Sequence, residues 1–184
     1  MSLPGQMFDH MLNPVKGWPH MAALDFSAKI SANVLYDMRA GQVAHINVAG
    51  ELEPGVQLLQ MGLFMFQGKN DFDVNNQRND QWTPISPSGR VMVLVAKGGY
   101  ELESTEADFT LAYNPNDHLQ APVGLGAGFE FISGVLTNAA LGALYDTGAG
   151  TMKARVGVVS RGAFVNAYGK QVLAFWPIYL PGLV

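Results

Sequence analysis

An all-β fold is predicted for this 184-residue chain by three observations. From residue 33 onward, short runs rich in Val, Leu, Tyr and Phe are separated by turn residues. No ten-residue helical period lies between them. The 21 glycines and 10 prolines supply frequent turns. The expected architecture is a β-barrel or β-sandwich, jelly-roll-like, over residues 31–184, with an extended N-terminal arm over residues 1–30 and at most one short helix.

The arm is expected because Pro4, Gly5, Pro14, Gly17 and Pro19 interrupt any long helix or strand. Met7, Phe8, Met11, Leu12, Trp18, Met21 and Leu24 are interleaved with them. A segment this apolar is poorly suited to solvent, so it lies on a partner or a neighbouring subunit, packs on its own domain, or is partly disordered.

Two β runs follow, residues 33–39 and 42–48, joined through Ala40 and Gly41. Residues 51–55 are expected as a turn punctuated by Pro54 and Gly55. Residues 56–66 are apolar on both faces and fit one or two buried strands. Residues 91–96 read as a central strand, ended by Gly98 and Gly99. Next, Tyr100, Leu102 and Ser104 lie opposite Glu101, Glu103 and Thr105, the alternation of a half-exposed strand. The helix candidate covers residues 138–145, where Leu141, Leu144 and Tyr145 share a face and Gly142 weakens it. Residues 155–160 and 171–180 are the last strands, with a hairpin turn at residues 166–170. Within the final run, Phe175 and Pro177 face one way, Trp176 and Ile178 the other. Residues 68–88 and 114–128 form loops longer than ordinary connections.

Composition narrows the class. A chain of this length buries roughly 70% of its unfolded surface, so one domain folds without staples. There is no cysteine, which removes disulfides and thiolate metal sites. Charged residues make up 14% of the chain, against about 25% on average. So sparse a charge points to partners covering part of the surface, or to a plainly neutral one. The net charge of −4 opposes binding through phosphate neutralisation, and no apolar run is long enough to span a membrane. The N-terminus lacks the pattern of a secretory signal, so the protein is expected to be made and kept in a cytoplasm. Charge is unevenly placed. Residues 98–152 hold seven acidic residues and no Lys or Arg, whereas residues 153–184 hold four basic residues and no acidic one.

No catalytic pattern emerges. His10, His20, His45 and His118 show no metal-ligand spacing, and an ordinary hydrogen-bonded or exposed imidazole is the simpler reading of each. The run starting at Asp71 and Asp73 begins like a calcium loop but has Asn76 and Trp82 where Gly and Glu are required. No serine lies in a nucleophile elbow. Gly124, Gly126 and Gly128 lack the preceding strand and following Lys of a phosphate cradle. Glu101 and Glu103 stand about 7 Å apart along one strand face, which fits an exposed acidic strand more simply than a catalytic pair. Neither cofactor nor metal is expected, and the chain is not expected to be an enzyme.

Several blocks in order carry a family resemblance: Glu51-Leu-Glu-Pro-Gly55, then Met61-Gly-Leu-Phe-Met-Phe-Gln-Gly-Lys-Asn-Asp-Phe-Asp-Val74, then residues 98–109 and 113–122, then residues 156–162 and 169–181, ending Phe175-Trp-Pro-Ile-Tyr-Leu-Pro181. Across residues 33–184 this order resembles the capsid cement, or decoration, proteins of tailed bacteriophages. The resemblance implies a β-rich structural protein on or between capsomers. Such a protein stiffens the icosahedral head against packaged DNA and binds the major capsid protein and itself, as a homotrimer or homodimer. It implies a place on the virion surface and no direct contact with nucleic acid or membrane. The interface candidates are Phe8, Met11, Trp18 and Met21 from the arm, Arg155 and Arg161 from the basic end, and Trp176 and Tyr179 from the last strand. Arg155, Arg161 and Lys170 are expected to meet the acidic region of a neighbouring copy. The alternative function is a β-fold module of a virion that binds carbohydrate or a host surface, with Trp82, Asn75, Asn76 and Asn79 suited to a sugar. An enzyme using Glu101 or His45 is the remaining one.

Overall fold

The computed structural model describes residues 11–16, 24–32, 34, 38–57, 60, 62–65, 90–96, 99–122, 134–138, 145–146, 151–167 and 169–182. In chain order the strands are β1 (Leu12–Lys16), β2 (Leu24–Lys29), β3 (Val43–Ile46), β4 (Leu52–Pro54), β5 (Leu63–Met65), β6 (Arg90–Val95), β7 (Glu101–Ser104), β8 (His118–Pro122), β9 (Tyr145–Asp146), β10 (Thr151–Val165) and β11 (Gln171–Gly182). They form two antiparallel sheets, and neither closes into a barrel, so the architecture is that of a β-sandwich.

The six-stranded sheet runs β1-β7-β11-β10-β8, with β9 added to β10; the five-stranded sheet runs β2-β6-β5-β3-β4. Strand alternation builds two cores from these sheets. Between the sheets, Val43, Phe64 and Leu94 meet Leu12, Leu102, Leu119, Val156, Leu173 and Phe175. The rings of Phe64 and Phe175 lie 5.3 Å apart and tilted, a favourable aromatic geometry. On the other side of the five-stranded sheet, Ala44, Leu52, Leu63, Met65, Val93 and Val95 pack around Val34 and Met38. That sheet therefore buries both faces, which is why residues 63–65 and 93–95 are apolar without alternation. It also curls: Ile30, just past β2, bridges Leu52 of β4, and the Ser31 amide donates to the Leu52 carbonyl at 2.9 Å.

Gly41 joins the two sheets. Its φ is +94°, and a Cβ there would sit 2.4 Å from Ser104 Oγ and 2.9 Å from the Met11 carbonyl. Its amide donates to Met65 at 2.8 Å, and its carbonyl accepts from Ser104 Oγ at 3.1 Å. Only a residue without a side chain lets β1, β7 and β5 converge on that backbone.

Several expected elements hold. Residues 90–95 form an interior strand, and the turn at residues 166–170 closes the β10–β11 hairpin, with Asn166 Oδ1 accepting from the Lys170 amide at 3.1 Å. Others are corrected. Residues 51–55 are not a turn: residues 52–54 are β4, an edge strand, where the missing amide of Pro54 does little harm. The turn lies earlier, where Asn47 Oδ1 accepts from the Ala49 and Glu51 amides, each at 2.9 Å, and Gly50 has φ +78°. In the run expected as a first strand, residues 34, 38 and 39 are not strand; Val34 and Met38 fill the second core instead. Within the helix candidate, residues 139–144 lie outside the described residues, and Tyr145 begins β9. Inside residues 1–30, expected as an arm, β1 pairs with β7 and β2 pairs with β6.

Candidate interaction face on the six-stranded sheet

The inner face of the six-stranded sheet is the core. Its outer face carries Asn13 and Lys16 from β1, Glu101 and Glu103 from β7, Val172, Ala174 and Trp176 from β11, and Arg155, Ser160, Arg161 and Phe164 from β10. The pairing that aligns them is Asn13 with Glu103, Glu103 with Ala174, Ala174 with Arg161, Lys16 with Glu101, and Phe164 with Val172.

The expectation of an exposed acidic strand is overturned here. Glu101 is 4% exposed and Glu103 is 5% exposed, although both point away from the core. What covers them is a layer of side chains lying flat on the sheet. Lys16 Nζ is 3.0 Å from Glu101 Oε2, and Ser160 Oγ donates to Glu101 Oε1. Arg161 Nη2 is 3.1 Å from Glu103 Oε1, and Asn13 Nδ2 donates to Glu103 Oε2 at 3.2 Å. Arg161 must cross β11 to make this contact, and Ala174, the residue in between, is small enough to let it pass. Each cation also faces a ring. The Arg161 guanidinium lies 3.5 Å from the centre of Phe164, and Lys16 Nζ lies 6.0 Å from that of Trp176. The face thus repeats one unit twice: a buried carboxylate, a cation over it, and an aromatic ring beside the cation.

The electrostatics follow from this packing. Burial pushes the Glu101 carboxyl up. The Ser160 hydroxyl, the Lys16 ammonium and the Arg161 guanidinium together outweigh it and hold the group below its ordinary value. The carboxylates are covered, while the Lys16 and Arg161 side chains remain 67% and 54% exposed. The outer surface of this face is therefore cationic and aromatic on a chain of net charge −4.

The expected interface residues are scattered over the fold. Arg161 and Trp176 come together on this face, Trp176 being 37% exposed. Arg155 is on the same face toward β8. Its Nε is buried without a hydrogen-bond partner, as is Oε1 of its cross-strand neighbour Gln120. Met11 is half-buried at the start of β1; its amide donates to Thr105 Oγ1 at 2.9 Å, and Asn166 Nδ2 donates to its sulfur at 3.4 Å. Tyr179 belongs to β11, its side chain outside the described residues, as are Phe8, Trp18, Met21 and the sugar candidates Asn75, Asn76, Asn79 and Trp82. The expected pairing of Arg161 with another copy's acidic region meets a partner nearer by, Glu103 of its own sheet.

Sequence reasoning missed Asn13, Lys16, Glu103, Ser160 and Phe164 as members of one surface. The signal for Glu101 and Glu103 was present in their shared parity; the cations that cover them became visible only with the order β1-β7-β11-β10. Glu101 and His45 do not converge. Glu101 lies on the outer face of one sheet, and His45 sits in β3 on the other sheet, with the parity of the core residue Val43. No group of three or more His, Cys, Asp or Glu side chains able to hold a metal occurs among the described residues.

Comparison of the chain with protein-family models, curated proteins and solved structures finds no match.

Proposed function

We propose that this protein is an adhesive structural component of a virus-like shell, acting as a cement protein on the capsid of a tailed bacteriophage. The observation that carries this reading is the outer face of the six-stranded sheet. Two carboxylates are already removed from water there, and Arg161, Trp176 and Phe164 are laid over and beside them. Arg and Trp dominate binding energy at protein surfaces, and groups that are desolvated beforehand cost less on association. Shell symmetry then multiplies many modest contacts into a firm attachment. The partners in this reading are the major capsid protein and further copies of the chain.

The test is sedimentation of the purified protein with emptied, undecorated phage heads, alongside the Trp176→Ala and Arg161→Ala variants. Wild type is expected to co-sediment and to raise the temperature at which heads rupture, and both variants to bind at least tenfold more weakly. Wild-type protein that stays in the supernatant at high concentration, or variants that bind as well as wild type, would overturn the reading.

A further inference from the structure

The hydrogen bonding of the ion-paired layer on the six-stranded sheet decides what kind of partner fits it. Glu101 and Glu103 are buried, and each of their oxygens is engaged from within the layer. Glu101 Oε1 accepts from Ser160 Oγ, and Oε2 faces Lys16 Nζ at 3.0 Å. Glu103 Oε1 faces Arg161 Nη2 at 3.1 Å, and Oε2 accepts from Asn13 Nδ2 at 3.2 Å. The carboxylates are covered and occupied, so they offer little to an incoming surface.

The cations are not used up in the same way. An ammonium or a guanidinium carries more N–H groups than one carboxylate oxygen can take. Among the described residues Lys16 and Arg161 each make one ion pair, and their side chains remain 67% and 54% exposed. Their remaining N–H groups are donors left for an acceptor from outside. Trp176 beside Lys16 and Phe164 beside Arg161 displace water from one flank of each cation. Arg155 adds a further cation toward β8. Outward, the face is therefore mainly a donor of charged hydrogen bonds, and its complement is anionic.

The spacing narrows the partner further. Glu101 and Glu103 lie two residues apart on β7, about 7 Å by the strand rise. Each holds a cation over itself, so the cationic heads stand at about the same interval. Carboxylates two residues apart on any extended segment share a face and repeat that interval, whereas adjacent ones point to opposite faces. A nucleic acid is the poorer match. Its binding depends on neutralising many phosphates, and this chain offers few cations here on a net charge of −4. We propose that the outer face of the six-stranded sheet receives an extended acidic segment of a partner protein, with two carboxylates at alternate positions seated on Lys16 and Arg161. This rests on the reading that the face is the adhesive one, and it names the chemistry of the surface it adheres to.

The experiment is an NMR titration of the full chain, read at the Trp176 indole N–H and the Arg161 side chain. The probes are three peptides: acetyl-Gly-Glu-Val-Glu-Gly-amide, the same with Gln for both Glu, and one with the two Glu adjacent. The first is expected to shift both signals and to bind about tenfold more tightly than the Gln peptide. The adjacent pair is expected to fall between them, and Lys16→Gln to weaken the first peptide about tenfold. Equal binding of the Glu and Gln peptides overturns the proposal, and that comparison leaves the protein untouched should Lys16→Gln not fold. Short duplex DNA that competes as strongly at equal charge concentration overturns it in favour of a general anion site. Self-association of wild type that Arg161→Gln abolishes overturns it in favour of a second copy. Head binding separates this proposal from the reading beneath it. Wild type that binds heads through Trp176 and Arg161 but ignores the acidic peptide overturns the acidic partner alone. Wild type that takes the peptide but not the heads overturns the cement reading alone.

Discussion

The two sheets use the same strand geometry to opposite ends. In the five-stranded sheet both faces are buried, and apart from the His45–Glu53 pair on β3 and β4 they are apolar: Phe64 and Leu94 point to one core, and Leu63, Met65, Val93 and Val95 to the other. In the six-stranded sheet one face is core, and the other is a layer of ion pairs and rings. A sheet that buries both faces contributes stability and has nothing left to present. A sheet that buries one face leaves the other available for contact, and here the carboxylates on it, Glu101 and Glu103, are already paired. On the proposed function, the division of labour is between the two sheets.

Neighbouring residues on β11 offer the sharpest way to break this comparison. Phe175 is wholly buried against Phe64, and Trp176 points to the opposite face. Phe175→Ala is expected to destabilise the fold by about 3–5 kcal/mol, through lost burial and the cavity left behind. Trp176→Ala is expected to leave the urea midpoint nearly unchanged while removing adhesion. Urea unfolding of both variants, with head binding for the second, checks the pair. If Trp176→Ala unfolds the protein as readily as Phe175→Ala, the outer face is a third core and the contrast between the sheets fails.

How far these roles were legible in the sequence depends on the range of the signal. The opposite parities of Phe175 and Trp176 are local, and alternation alone assigns them to different faces. The same holds for Glu101 and Glu103. What alternation cannot supply is the identity of the strands on either side. Glu101 and Glu103 read as solvated because their covering cations sit at positions 16 and 161, far apart in sequence and joined only by the order of the sheet. Residues 51–55 misled for a local reason. Pro54 and Gly55 are strong turn residues, but Asn47 had already formed the turn with its side chain, leaving Pro54 to an edge strand. Val34 and Met38 looked like strand residues because burial in a second core selects the same apolar side chains.

The junction between the sheets is the next place to test. Gly41→Ala puts a methyl group against Ser104 Oγ and the Met11 carbonyl, at a φ of +94° that side chains resist. Backbone strain of this kind costs about 1–3 kcal/mol. Because the clash involves both β1 and β7, the loss should reach the proposed adhesive face as well. Proton exchange at the Thr105 amide, which donates to Met11 at 3.1 Å, is expected to quicken along with the fall in the urea midpoint. A variant as stable as wild type would mean that β1 shifts without consequence, and that the two sheets are less tightly joined than their geometry implies.

The smallest expected effect comes from the ion-paired layer. Glu101→Gln keeps the shape of the side chain and removes its charge. Lys16 stays largely in water, so the loss at neutral pH is about 0.2–1 kcal/mol. The dependence on pH is more informative than the size. The folded-state pKa of Glu101 lies below the ordinary 4.5, so its contribution is present above that value and is lost as pH falls through the folded pKa. Wild-type stability should therefore decline more steeply below pH 4.5 than that of Glu101→Gln. The two curves, measured by urea unfolding at successive pH values, should converge in acid, where the wild-type carboxyl is protonated too. Parallel curves would mean that Glu101 titrates as it does in the unfolded chain, and that Lys16, Ser160 and Arg161 shelter it from water without holding its charge.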